Sequence, residues 1–223
     1  MGDVSSSAPD GLPDPLAPSP PAMGPPTRWV TETGADHSQW YVARFRGMAA
    51  DGKDLDGEGR LVDAMVGRRA RILDAGCGLG RVGGYLHRCG HDVVGVDVDP
   101  VLIAAAEDDH PGPRWLVGDL AVLDLAAQGE PEPFDAVVMA GNVLGFVAPD
   151  TEGDVVRRLA AHLVPDGFLV IGLGSDRGYP VAAMDRDAAQ AGLVREQRFA
   201  TWDLRPWRPD SDFGVSVYRR VSS

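Results

Sequence analysis

The 223-residue chain carries 33 acidic against 21 basic side chains, a formal charge of −12, and this imbalance disfavours nucleic acid as a partner, because phosphate backbones are held by clustered cations that displace counterions. No apolar run reaches the ~20 residues of a membrane-spanning helix and no basic-then-apolar leader opens the sequence, so the expected setting is the cytoplasm, with no membrane partner. Two cysteines, Cys77 and Cys89, fit free thiols in a reducing compartment better than a disulfide framework.

Residues 1–28 are rich in proline and serine and hold almost no large apolar side chains, the composition of a disordered tail. Order is expected from Trp29, and residues 29–68 read as a helical cap in which His37–Gly47 and Gly57–Val66 carry helical spacing. In the first of these helices His37, Trp40, Tyr41 and Arg44 share one face. From 69 to 223 the patterns alternate: strand 70–75, helix 79–89, strand 92–97, helix 100–108, strands 113–118 and 134–140, helix 151–164, strand 167–173 and helix 180–191. Alternation of this kind predicts an α/β domain with a mostly parallel sheet and helices on both faces. Asp99, followed by Pro100, reads as the N-cap of its helix. The last two strand-like runs, 193–204 and 213–220, flank a proline-rich turn and predict an antiparallel hairpin, bringing the strands to seven. An exposed hairpin edge is compatible with either a monomer or a homodimer.

The densest signal is Ile72–Arg81, an apolar run that meets Asp74 and then a turn with glycines at 76, 78 and 80. Glycine tolerates the positive φ of a sharp strand-to-helix turn and lets a ligand lie against bare backbone. About twenty residues on, a second strand ends in Asp97, whose carboxylate has few structural partners beside such a turn and suits two ribose hydroxyls. A nicotinamide-binding turn would place its third glycine at 81, where Arg81 stands, and no Lys-Ser/Thr pair marks a phosphate loop. Arg81 is expected to be solvated or paired with a carboxylate.

The segment Asp74–Gly80 resembles motif I of the class I S-adenosylmethionine-dependent methyltransferases, and three further stretches follow that family's order: Trp115–Leu120, Pro133–Val143 and Leu163–Ile171. The resemblance spans roughly residues 70–175 and implies a Rossmann-like seven-stranded, mostly parallel sheet with an antiparallel C-terminal hairpin, and S-adenosyl-L-methionine as cofactor. It implies donor contacts from the backbone of Gly76, Gly78 and Gly80, from Asp97 and Val98, from Asp119 and the Leu120 amide at the adenine, and from Ala140 at the methyl end. Asp74 either touches the donor's amino group or braces the glycine turn. Asp119 is also placed to cap a short helix over 120–127. Asn142 either lines the methyl site or forms a turn.

In many small-molecule members of that family the segment before the first strand closes over the donor. On that view Trp40 and Arg44 join the cofactor site, Arg44 or Tyr41 meeting the methionine carboxylate, and His37 is the general base by elimination, so that His37, Tyr41 and Asn142 are the candidate catalytic residues. The same helix face would serve equally as plain docking surface. Phe146, Arg177, Tyr179 and Trp202 are placed to complete the pocket. No cysteine or histidine cluster marks a metal site. The expected reaction is methyl transfer to O, N or C of a small organic acceptor, since Ala140–Val143 lacks the Asn-Pro-Pro-Tyr signature of amino-group methylation on nucleobases or glutamine. The chain also resembles a group of short bacterial methyltransferases of unassigned acceptor. An NAD(P)-dependent oxidoreductase and a non-catalytic S-adenosylmethionine-binding module are the alternatives.

Overall fold

The computed structural model describes residues 22–34 and 36–221. The tail expected at 1–28 falls for the most part outside the described residues. Its last stretch does not hang free: Thr27 is buried, and the Gly24 amide donates to Asp119 Oδ2 at 3.0 Å. Three helices follow, α1 (Arg28–Glu32), α2 (His37–Ala50) and α3 (Gly57–Met65). Next come β1 (Arg71–Ala75), α4 (Arg81–Arg88), β2 (Asp92–Asp97), α5 (Pro100–Asp109), β3 (Arg114–Val117) and β4 (Phe134–Met139). The chain closes with α6 (Glu152–Ala161), β5 (Leu163–Gly174), α7 (Val181–Gln190), β6 (Leu193–Phe199) and β7 (Phe213–Arg220).

The seven strands order as β3-β2-β1-β4-β5-β7-β6, with β1 to β5 mutually parallel and β7 antiparallel to both of its neighbours. Helices on both faces leave the parallel strands buried on both sides, which is why they read as continuous apolar runs. Successive residues supply opposite layers: Ile72 and Val138 pack with Val62, Val82 and Leu86, while Leu73 and Val137 pack with Val155, Leu159 and Met184. Each such fully buried aliphatic side chain stabilises the fold by roughly 1.5–3 kcal/mol.

Element boundaries moved where local chemistry outweighed pattern. The helix expected from 79 starts at Arg81, because Gly80 sits at φ 77° as its N-cap. The helix expected to reach 164 stops at Ala161, and β5 begins at Leu163 instead of 167. Phe134 pairs with Leu163 but Ala136 with Phe168, so residues 164–167 loop out of the ladder. The run 193–204 is strand only to Phe199; Ala200 then donates to the Arg205 carbonyl at 2.8 Å, closing a turn with Leu204 at φ 67°. The helix expected over 120–127 is two separate 3₁₀ turns, Leu120–Val122 and Ala126–Gln128.

Gly95, in the middle of β2, is required by its neighbour. A Cβ there would lie 2.2 Å from the ring of Trp115, which is buried and donates its Nε1 to the His110 carbonyl at 3.0 Å. Gly95→Ala is therefore expected to cost about 1–3 kcal/mol in urea unfolding; unchanged stability would contradict this packing.

Candidate active site

The strand order reverses between β1 and β4, so the carboxyl ends of β1 to β4 frame a crevice. A cavity of about 320 Å³ lies there, with the strand ends on one side and side chains of α1 and α2 on the other. Its floor is the glycine turn. Gly76 has φ +74°, and a Cβ on it would stand 2.5 Å from the Val143 side chain; Gly78 has φ +56° and turns its amide back onto Asp97. Both line the cavity, whereas Gly80 lies outside it, packed against Trp115 and Ala106.

Asp97 lines the cavity with its carboxylate buried. It has more structural partners than its position in the sequence suggested: Oδ2 accepts from the Gly78 amide at 2.9 Å and Oδ1 from the Asp99 amide at 3.0 Å. Each oxygen keeps lone-pair capacity for a further donor. Burial pushes this carboxyl up to about 6, and the amide bonds from Asp99 and Gly78 pull the other way. Val98, beside it, also lines the cavity. Asp119 lines the neighbouring wall with Leu120, its Oδ1 capping the 3₁₀ turn through the Ala121 amide at 2.9 Å and its Oδ2 taken by Gly24. Ala140 lines the far side.

Besides Gly80, two predicted site residues, Asp74 and Asn142, stand behind the wall. Asp74 is buried and does not line the cavity; its Oδ2 accepts from the Gly83 amide at 2.8 Å, in the first turn of α4, so it braces the glycine turn and helix start. Burial pushes its carboxyl to about 7, with the Gly83 amide opposing. Asn142 is the turn former, at φ 65° with Oδ1 accepting from the Gly174 amide at 2.7 Å.

The cap face is in place: His37, Trp40, Tyr41 and Arg44 all line the cavity. Trp29 meets the rings of His37 and Tyr41 edge-on, at 4.9 and 5.5 Å between centroids, and the Arg44 guanidinium lies 5.4 Å from the Trp40 ring. Burial raises the Tyr41 phenol above its ordinary value, against the opposing charge of Arg81. Arg81 itself is paired, donating to both Glu58 carboxylate oxygens at 2.7 and 2.8 Å. Of the residues placed to complete the pocket, only Phe146 does so. Arg177 lies over the Phe146 ring at 5.6 Å, Tyr179 donates its hydroxyl to Asp187 at 2.6 Å, and Trp202 packs against Gly172, all three outside the lining.

Thr27 and Trp29 line the cavity although they sit in and beside the stretch read as a tail. Trp29 Nε1 donates to Asp99 Oδ2 at 2.8 Å, and the Arg28 guanidinium pairs with Glu152 at 2.9 Å. The one sequence signal for this docking is Trp29 itself, a large aromatic at the end of a proline-rich run. Among the described residues no group of three or more His, Cys, Asp or Glu side chains is arranged to hold a metal ion.

A buried strand-end carboxylate beside bare glycine backbone, with a second acid one strand further, is the arrangement that the resemblance to the class I methyltransferases implied. Residues 72–167 match the family described as a methyltransferase domain. A TehB-like S-adenosylmethionine-dependent methyltransferase from Corynebacterium glutamicum is 45% identical, with a TM-score of 0.79 over 84% of this chain and 100% of that one. Among curated relatives, the magnesium-protoporphyrin O-methyltransferase of Rhodobacter capsulatus is 35% identical over 139 residues, covering 59% of this chain and 57% of that protein. The 18S rRNA (guanine-N(7))-methyltransferase of Mus musculus is 30% identical over 186 residues, covering 78% of this chain and 63% of its own length. The chain thus spans about three fifths of these two curated relatives. The protein belongs to the class I S-adenosylmethionine-dependent methyltransferases, and its methyl donor is S-adenosyl-L-methionine.

The raised Asp74 carboxyl has a measurable consequence. Its folded value of about 7 lies above the ordinary 3.8, so the folded state binds the proton more tightly, and the stability this adds in acid is lost as pH rises through the folded value. Asp74→Asn keeps an oxygen for the Gly83 amide. Relative to that variant, the unsubstituted chain is expected to lose up to about 1.4 kcal/mol of stability per pH unit between about pH 5 and 7. A pH-independent difference in urea unfolding would contradict the assignment.

Proposed function

We propose that this methyltransferase acts on a small organic acceptor, at an oxygen, nitrogen or carbon atom, inside the cavity between the strand ends and the α1–α2 face. The observation that carries the proposal is the covering of the crevice: Thr27, Trp29, His37, Trp40 and Tyr41 give it an outer wall, suited to a molecule that fits within a pocket. Arg44 is the one cation among the described lining residues, and the net charge is −12, which favours a small acceptor over a nucleic-acid strand. The rRNA relative marks the competing substrate class.

The residues fit the donor by their chemistry. Asp97 is placed to accept from both ribose hydroxyls, Val98 to flank them, and Asp119 with the Leu120 amide to read the adenine edge. Gly76 and Gly78 leave backbone open to the amino-acid portion, whose carboxylate Arg44 and Tyr41 are placed to meet, with Trp40 beside them. Asp74, Gly80 and Asn142 act by holding these groups. Residues 29–68 serve as the cap. Bound S-adenosylmethionine supplies an activated sulfonium methyl group, transferred by in-line displacement at carbon. The cap and the Ala140–Gly141 wall align the acceptor for that displacement, and alignment alone provides much of the acceleration. His37 receives the acceptor's proton where one must leave.

The test is to incubate the protein with S-adenosylmethionine and either a panel of phenolic, amine and heterocyclic acceptors or a guanine-containing RNA hairpin, and to follow S-adenosylhomocysteine. Turnover with a small acceptor, reduced about 10²-fold or more in His37→Ala, is expected. Turnover with the RNA alone would contradict the proposal.

A further inference from the structure

Asp99 lies just beyond Asp97 and Val98, and its carboxylate reaches past the helix that it caps. Oδ1 accepts from the Val101 amide at 2.8 Å, the ordinary N-cap bond, with Pro100 at the first helical position. Oδ2 faces the other way and accepts from Trp29 Nε1 at 2.8 Å and from the Ser38 hydroxyl. Trp29 belongs to α1 and Ser38 to the first turn of α2. Among the described residues Asp99 is thus the core side chain that accepts from both α1 and α2, and it is buried. Its backbone amide, meanwhile, donates to Asp97 Oδ1 at 3.0 Å.

One residue therefore touches both walls of the cavity. The outer wall is Trp29, held directly, and His37, Trp40 and Tyr41, carried on the turns that follow and include Ser38. The inner wall is Asp97, oriented by the Asp99 amide. Capping α5 needs only Oδ1, so the two bonds at Oδ2 are surplus to helix formation and serve the placement of the cap. Other attachments of α1 and α2 lie elsewhere, among them the packing of Val42 with Leu79, Leu102 and Ala105 and the Arg28–Glu152 pair. Arg28 and Trp29 donate backbone amides to Val147 and Phe146, and Arg46 pairs with Asp109 on the exposed side of α2. None of these reaches the first turn of α2, where His37 stands.

We propose that Asp99 is a positioning residue, a clasp that holds α1 and the start of α2 closed over the methyl-donor cavity while fixing the carboxylate of Asp97. The clasp rests on the reading of this cavity as the donor site. Asp99 touches no reacting atom; it acts through Trp29, Ser38 and Asp97.

Asp99→Asn separates the two uses of the side chain. The amide oxygen still caps Val101, since asparagine is as good an N-cap as aspartate, but an NH₂ group then faces the Trp29 N–H and cannot accept from it. Trp29→Phe removes the donor from the other side while keeping a ring. Amide hydrogen exchange is read on the free full-length chain, and S-adenosylhomocysteine affinity by calorimetry. In both variants exchange over residues 27–50 is expected to rise about tenfold with β1 to β5 unchanged, and affinity to fall about tenfold, the effect of losing one charge-assisted hydrogen bond. The double variant is expected to be no worse than either single one. Unchanged exchange over 27–50, or an equal rise across the sheet, would overturn the clasp. Exchange needs no ligand, so a failure of the donor reading, seen as no S-adenosylhomocysteine binding by the unsubstituted chain, is separable from a failure of the clasp.

Discussion

A single buried carboxylate at the end of β2 organises this molecule. Asp97 takes the Gly78 amide on one oxygen and the Asp99 amide on the other, and in doing so fixes the glycine turn against the second strand. The turn cannot relax without unpairing a buried charge, and leaving such a group unsatisfied costs more than the hydrogen bond itself is worth. Burial has already raised its carboxyl to about 6, so the fold holds this group at an energetic disadvantage. Such a disadvantage persists in a structure where the group has work to do for a ligand.

The surroundings repeat this logic one layer out. Asp74 stands behind the turn and caps α4 through Gly83. Asn142 takes a left-handed conformation so that its side chain can hold the end of β5 at Gly174. Asp119 joins its own 3₁₀ turn to the incoming chain at Gly24. Each of these polar side chains thereby satisfies a backbone amide at a turn, a strand end or a helix start. The cavity is what remains between these braces and the aromatic face of α1 and α2.

How much of this was legible in the sequence depended on range. The glycine turn and Asp97 could be read because positive φ demands glycine locally and the strand-end acid follows at a fixed spacing. The face of His37, Trp40, Tyr41 and Arg44 could be read because helical periodicity sets it. Thr27 and Trp29 escaped, since their docking depends on partners such as Asp99, 70 residues away from Trp29, and proline-rich composition masked it. Tyr179 lies on the loop where it was expected and Trp202 on a turn beyond the end of β6 instead of within the strand-like run, and their side chains turn into the core, toward Asp187 and Gly172. Whether a loop aromatic faces a pocket or a core is decided by packing that no local pattern encodes. The reading of Asp74 and Asn142 as braces likewise rests on the amides within reach, Gly83 and Gly174.

The central claim is that the crevice beside Asp97 holds the methyl donor. Its most direct test is calorimetric titration of S-adenosylmethionine and S-adenosylhomocysteine into the full chain and into Asp97→Ala. Binding by the unsubstituted chain, weakened by about 3 kcal/mol or roughly a hundredfold in the variant, is the predicted result, the loss of hydrogen bonds to a charged acceptor. Equal affinity in the two proteins would contradict the account.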